Sequence, residues 1–147
     1  MNKTGFCFSS FLLDPSSFSF PNAHFHRHQH QQAQGQARDG RADPVGVGAI
    51  RTLRSGIAEV KRMYVEPGCR DRHVGSAILD RLLDEACEMG APIVLLDTCR
   101  FMTEAHRLYR SRGFVERSPY EGTEIPARLQ HLWTFFERSA PFASQPS

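Results

Sequence analysis

Residues 74–89 carry apolar side chains at gaps of three and four, and the pattern ends abruptly at Gly90 and Pro92. Val74, Ala77, Ile78, Leu82 and Ala86, widened by Leu79 and Leu83, fall on one face of a helix, while Asp80, Arg81, Asp84, Glu85 and Glu88 fall mostly elsewhere. Gly90 supplies a C-terminal cap, and Pro92 forbids continuation. An uninterrupted apolar run then follows from Ile93 to Leu96 and closes on Asp97-Thr98, the pattern of a strand buried on both faces. An amphipathic helix leading into a doubly buried strand restricts the chain to a layered α/β domain with parallel pairing at its centre.

The flanking segments extend that frame. Val45, Val47, Ala49 and Ile50 form a glycine-spaced strand, Arg54-Ser55-Gly56 reads as a turn, and residues 57–65 return as the second strand of a hairpin that Pro67-Gly68 stops. A second helix is expected over residues 103–112, with Thr103 capping its start and Gly113 ending it. Phe114-Val115 opens a further strand, and residues 132–136 close the sheet.

Residues 1–40 have a different texture, rich in Ser, Phe, His and Gln without helical or strand period. His24, His26, His28 and His30 would share one face of an extended chain. Their spacing matches no structural zinc site and no cysteine lies nearby, so the segment reads as a biased, poorly ordered tail and no metal is expected. The organisation is therefore a tail over 1–40, a folded domain over 41–138 and a short tail over 139–147. Serines interrupt the short apolar stretch from Phe11 to Leu13 and Asp14-Pro15 ends it, which makes a poor signal peptide. Cys7, Cys69, Cys87 and Cys99 form no C-x-x-C pair, so reduced thiols and a cytoplasmic location are the simpler expectation. A net charge of +2 with scattered basic residues argues against nucleic acid, and no apolar stretch is long enough to cross a bilayer.

The most informative stretch is Arg70-Asp71-Arg72-His73-Val74-Gly75-Ser76-Ala77, between a strand and the amphipathic helix. The first turn of a helix has backbone N–H groups without intrahelical partners, and the helix dipole adds partial positive charge there. Together these favour a phosphate or diphosphate. Gly75 lets the backbone approach the ligand, Ser76 offers a hydroxyl, and Arg70 and Arg72 add mobile charge. Neither G-x-x-x-x-G-K-[ST] nor G-x-G-x-x-G is present, and an ordinary strand-to-helix turn with two solvated arginines has the same spacing.

Residues Glu59-Val60-Lys61-Arg62-Met63-Tyr64-Val65-Glu66-Pro67, followed by Arg70-x-x-His73-x-Gly75, resemble the coenzyme A motif of the GNAT superfamily of N-acetyltransferases. Leu96-Asp97-Thr98, then Glu104-Ala105-x-x-Leu108-Tyr109-Arg110-Ser111-x-Gly113-Phe114, resembles the next motif of that family. Pro119-Tyr120 and Glu124-Ile125-Pro126 are similar to a bacterial subgroup of small acetyltransferases. The resemblance implies a GNAT-like mixed central sheet flanked by helices, with acetyl-CoA as co-substrate and a small-molecule or peptide amine as acceptor. It implies that the backbone of Met63, Tyr64 and Val65 pairs with the pantetheine arm like an added strand. It further implies that the segment Arg70, Asp71, Arg72, His73, Val74, Gly75, Ser76 and Ala77 holds the pyrophosphate, and that the amine attacks the thioester directly.

Two side chains are implied for the chemistry. Glu59 lies where some family members put a catalytic glutamate; the alternative is a solvent-facing strand carboxylate paired with Lys61 or an arginine. Tyr109 lies where many place a general-acid tyrosine; the alternative is an aromatic packed against the sheet. Phe101, Tyr120 and Trp133 are candidates to line a pocket, although a core role suits Trp133 better. Two departures stand out. The family motif has glycine where this chain has His73, which crowds a diphosphate, strains the backbone if φ is positive, or donates to a phosphate oxygen. Family members also begin with a strand and two helices that wall the acceptor site. Residues 1–40 offer nothing similar beyond one strand near residues 34–38, so the N-terminal part is expected to be incomplete, and a second copy in a homodimer is one way to complete the acceptor site.

Overall fold

In the computed structural model, which describes residues 8–13 and 44–139, the expected hairpin forms from β2 (Gly46–Arg54) and β3 (Ile57–Val65). The amphipathic helix is α1 (Val74–Glu88) and the doubly buried run is β4 (Ile93–Cys99). Then follow α2 (Thr103–Ser111), β5 (Val115–Arg117) and β6 (Trp133–Ser139), the last reaching Ser139, one residue into the expected tail. One strand precedes them, β1 (Phe8–Leu13). The six strands form one sheet in the order β1-β2-β3-β4-β6-β5. Among the described strands only β3 and β4 pair in parallel; every other neighbouring pair is antiparallel.

β1 places a strand at residues 8–13, in a segment whose sequence shows no strand period. It pairs with β2 in register Phe8↔Arg51 to Leu13↔Gly46. Backbone hydrogen bonding along an open sheet edge does not require the apolar alternation used to find strands. The histidine run, the strand expected near residues 34–38 and the segment beyond Ser139 lie outside the described residues.

Helix ends follow local chemistry. At the end of α1, Gly90 has φ 67°, its N–H bonds to the Cys87 carbonyl at 3.0 Å, and the Ala91 N–H bonds to Ala86 at 2.9 Å. Gly113, φ 82°, closes α2 in the same way, with bonds from Gly113 to Arg110 and from Phe114 to Tyr109. Both are Schellman closures, which favour a residue that adopts positive φ without cost. The expected Thr103 cap does not form: Met102 occupies the capping position without a side-chain bond, and Thr103 is the first helical residue.

The sheet has two different faces. On one, Ile78, Leu79, Leu82, Leu83 and Ala86 of α1 pack with Ile50, Val60, Val94, Leu96, Tyr109 and Phe136. Each large apolar side chain buried there contributes about 1.5–3 kcal/mol of transfer free energy. Arg112 ties α2 to Asp80 of α1 at 2.7 and 3.1 Å. On the other face, Leu95, Tyr120 and Phe135 pack with Leu53, Ile57, Ile93, Ile125 and Trp133, under the connection of residues 118–132. Val94 and Leu96 serve the first face and Leu95 the second, so β4 is buried on both sides as its composition implied.

The glycines of β2 set the distance between α1 and the sheet. A Cβ at Gly48 would fall 2.4 Å from Ile78 Cγ2 and 2.9 Å from Leu82 Cδ1, while one at Gly68 would meet nothing within 4 Å. Overpacking of a filled core costs about 1–3 kcal/mol. Gly48→Ala is therefore expected to lower unfolding free energy by about 1–3 kcal/mol and Gly68→Ala by less than about 0.5 kcal/mol in urea titrations; equal effects would contradict the close approach.

Candidate functional site

β3 and β4 pair only at Ile57↔Ile93, Ala58↔Val94 and Glu59↔Leu95. Both strands continue, β3 to Val65 and β4 to Cys99, while β3 stays paired with β2 as far as Val65↔Gly46. The edge of β3 that faces β4 is therefore open from residue 60 onward, and the two strands form a fork.

A bulge re-aims β3 within the fork. The β2–β3 register shifts between Val47 and Ala49, and Arg62 at the shift has φ 52°. One extra residue inverts the alternation of side chains. Val60 faces the α1 side, and beyond the bulge so do Met63 and Val65, both packed against the core, while Tyr64 is 47% exposed. The three residues expected to offer backbone to a pantetheine arm thus lie on an open strand edge.

The helix that follows begins in the segment expected to hold an anion. A short 3₁₀ turn at Pro67–Cys69 leads to Arg70, whose Nε donates to the Val65 carbonyl at 3.3 Å. The first α-helical bond runs from Ala77 N–H to the His73 carbonyl at 3.0 Å, which leaves the amides of Val74, Gly75 and Ser76 without intrahelical acceptors. Among the described residues no side chain caps this end, and its first turn holds no acidic residue. Arg70, Asp71, Arg72 and His73 are exposed around it. A Cβ at Gly75 would fall 3.3 Å from Leu108 Cδ2, so the glycine lets the first turn of α1 lie against α2. Asp71 (φ 57°) and His73 (φ 58°) are both left-handed, a conformation that costs a residue with a Cβ about 1–2 kcal/mol. The backbone at His73 is thus of the kind that glycine adopts freely. Helix-start amides and exposed arginines are groups that attract an anion, while Gly75, expected to admit a ligand, serves the contact between α1 and α2.

The chemistry-bearing side chains gather at the fork. Tyr109 lies on the α1 side, buried and edge-on to Phe114 and tilted against Phe136. Burial first, and the Asp97 carboxylate second, push its phenol up to about 12, so it keeps its proton at neutral pH. Tyr109 is packed against the sheet, as one of its two sequence readings had it, with its phenol protonated.

Glu59 is on the opposite side and is 0% exposed. Arg51, its register partner on β2, approaches Oε2 through Nε at 2.7 Å and Nη2 at 2.6 Å. Lys61 Nζ lies 3.0 Å from Oε1, and the Tyr120 hydroxyl donates to Oε1 at 2.8 Å. The pairing with Lys61 and an arginine is present, but the carboxylate is enclosed rather than solvent-facing. Lys61 also bridges the fork to Asp97 Oδ2 at 3.1 Å. Glu124 reaches Arg51 at 3.1 Å and Lys61 at 3.7 Å from the covering connection. Burial lowers the Lys61 pKa, but the Asp97 and Glu59 carboxylates outweigh it, and the net shift is upward. Burial, then Asp97 and Glu59, raise Tyr120 well above the usual phenol range.

Arg51, Lys61, Asp97, Thr123 and Glu124 were not singled out from the sequence as site residues. The alternation of Glu59 and Lys61 about Val60 was the available signal, but the register that adds Arg51 and Asp97 was not. Phe101, Tyr120 and Trp133 do not form one pocket: Phe101 is 81% exposed, Tyr120 is buried with Phe135, and Trp133 packs half-buried. Among the described residues no group of His, Cys, Asp and Glu is arranged to hold a metal, and no helix is long and apolar enough to cross a membrane.

Comparison with known proteins adds independent information. A family model described as "Acetyltransferase (GNAT) family" matches residues 6–114. An IAA acetyltransferase of Azospirillum brasilense is 40% identical over 77 residues, 52% of this chain and 50% of that protein. An acyl-CoA N-acyltransferase from Klebsiella pneumoniae superposes with a TM-score of 0.60 at 26% identity, covering 69% of this chain and 68% of that one. An acetyltransferase from Salmonella typhimurium solved with acetyl-CoA superposes with a TM-score of 0.55 at 22% identity, covering 72% and 64%. The chain spans about half the length of the Azospirillum relative.

The strain at His73 yields an expectation. His73→Gly removes a left-handed Cβ from the approach to the helix amides, so it should leave stability within about 1 kcal/mol of the parent and tighten coenzyme A binding in calorimetry. A weaker complex would identify the imidazole as a donor to phosphate instead.

Proposed function

The chain belongs to the acetyltransferase (GNAT) family, and on that premise we propose that it transfers the acetyl group of acetyl-CoA to a primary amine by direct attack. The observation that carries the reading is the fork: β3 and β4 part after Glu59↔Leu95, beside a helix whose first-turn amides are uncapped. The solved Salmonella relative holding acetyl-CoA supports the choice of co-substrate.

In this reading the amides of residues 72–77, with Arg70 and Arg72, hold the diphosphate. The open edge of Met63, Tyr64 and Val65 aligns the pantetheine arm as an added strand. The thioester then lies in the fork with Tyr109 on its α1 side. A lysine-like amine has a pKa of about 10.4, so deprotonation at pH 7.4 costs about 4 kcal/mol. A carboxylate beside the amine binds the ammonium and gives its proton an acceptor. Glu59 has both oxygens occupied by donors, so it acts at one remove, orienting Lys61 and Tyr120. Tyr109, whose phenol is protonated at neutral pH, donates to the departing sulfur.

A second reading, a coenzyme-A-binding unit without catalysis, is favoured by the partial span of the match to the Azospirillum relative. Thiol release with a panel of primary amines separates the two. Tyr109→Phe keeps the ring contacts to Phe114 and Phe136. It should lower turnover at least about tenfold, as removal of a general acid does, with little change in coenzyme A affinity. Unchanged turnover would remove Tyr109 from the mechanism.

A further inference from the structure

We infer that Asp97, rather than Glu59, receives the acceptor's ammonium group in the fork and takes its proton. The inference rests on the amine reading above and names the residue that touches the acceptor.

Asp97 is two residues beyond the last β3–β4 pair, across the fork from Lys61. It is the first residue of β4 on that face after the ladder ends. Its side chain is only 9% exposed. Lys61 at 3.1 Å, Tyr120 at 3.1 Å and Thr123 at 3.5 Å all converge on Oδ2. Among the described residues no donor falls on Oδ1, and no buried side-chain oxygen lacks a partner, so Oδ1 keeps access to solvent. A largely buried carboxylate with one oxygen fixed and the other open is arranged to accept one more donor.

Glu59 offers no such opening, since both of its oxygens are occupied and it is fully enclosed. Charge points the same way. Glu59, Asp97 and Glu124 face Arg51 and Lys61, an excess of one negative charge that an incoming ammonium cancels. Glu124, 63% exposed on the covering connection, is the only one of the five whose side chain is mostly in solvent.

One ammonium proton passes to Asp97 Oδ1 and from there to solvent. The nitrogen lone pair forms the C–N bond at the thioester carbonyl. The C–S bond breaks, the sulfur takes a proton from Tyr109, and the second nitrogen proton restores the phenol. The products are an N-substituted acetamide, free thiol and one released proton.

The test compares two acceptors with Asp97→Asn. Phenethylamine is an ammonium at neutral pH, whereas hydroxylamine is already largely neutral and needs neither anchoring as a cation nor deprotonation. The variant should lose about a hundredfold or more in kcat/KM for phenethylamine and less than about fivefold for hydroxylamine, with acetyl-CoA affinity unchanged. A purely structural role would lower both acceptors equally, and that result, or full retention of phenethylamine activity, overturns the inference. If Asp97→Asn fails to fold, Asp97→Glu keeps the charge and displaces it, and it must show the same selective loss. Unaltered protein that binds acetyl-CoA yet acetylates neither hydroxylamine nor any of a series of primary alkylamines overturns the amine reading itself, and the inference with it.

Discussion

The architecture turns on the point at which β3 and β4 stop pairing. Three parallel pairs hold the strands together, and then both run on without a shared ladder. Backbone donors and acceptors left along such an edge must be met by water or by another extended chain. Parallel neighbours normally remain zipped where apolar side chains cover both faces. Here the fork opens where Lys61 and Asp97 take the place of apolar residues, so the sheet continues as an ion pair rather than as a ladder. A bulge at Arg62 then turns Met63 and Val65 back onto the helical side, which anchors the free arm of β3 although it has lost β4.

The two faces of the fork differ in chemistry because different elements cover them. α1 and α2 cover one face with apolar side chains, an uncapped helix start and a protonated phenol. The connection of residues 118–132 covers the other and supplies Tyr120, Thr123 and Glu124 to a charged cluster rooted on β2, β3 and β4. Removing a single partner from such a buried cluster leaves an uncompensated charge, which typically costs about 3–5 kcal/mol. The cluster is therefore tied to stability as well as to the proposed chemistry. An acyl donor held on the helical side and an acceptor arriving from the charged side would meet at the fork without competing for the same surface.

Much of this was legible in the sequence because it is local. The 3.6-residue period of α1, the glycines that close both helices and the all-apolar β4 each carry their cause within a few residues. At His73 the sequence left crowding, strain at positive φ and donation to phosphate as alternatives, and the backbone there has φ 58°. What could not be read was set by register. Arg51 meets Glu59 because β2 and β3 pair antiparallel in one alignment, and Asp97 meets Lys61 because the parallel alignment runs from Ile57↔Ile93. β1 escaped because its pairing is made by backbone along a sheet edge, to which apolar alternation is blind. Glu59 was located correctly as a strand carboxylate, but its enclosure by four contacts from three side chains depends on Tyr120, sixty-one residues further along the chain.

In the proposed binding mode the amides at the start of α1 grip a diphosphate while the open edge of β3 aligns the arm attached to it. Amide resonances of Val74, Gly75 and Ser76, followed during a titration with acetyl-CoA, address it most directly. Saturable shifts are expected at those three positions, and S-acetylpantetheine, which lacks the diphosphate, should not produce them. Folded protein whose α1 amides stay unmoved at millimolar acetyl-CoA would contradict that binding mode.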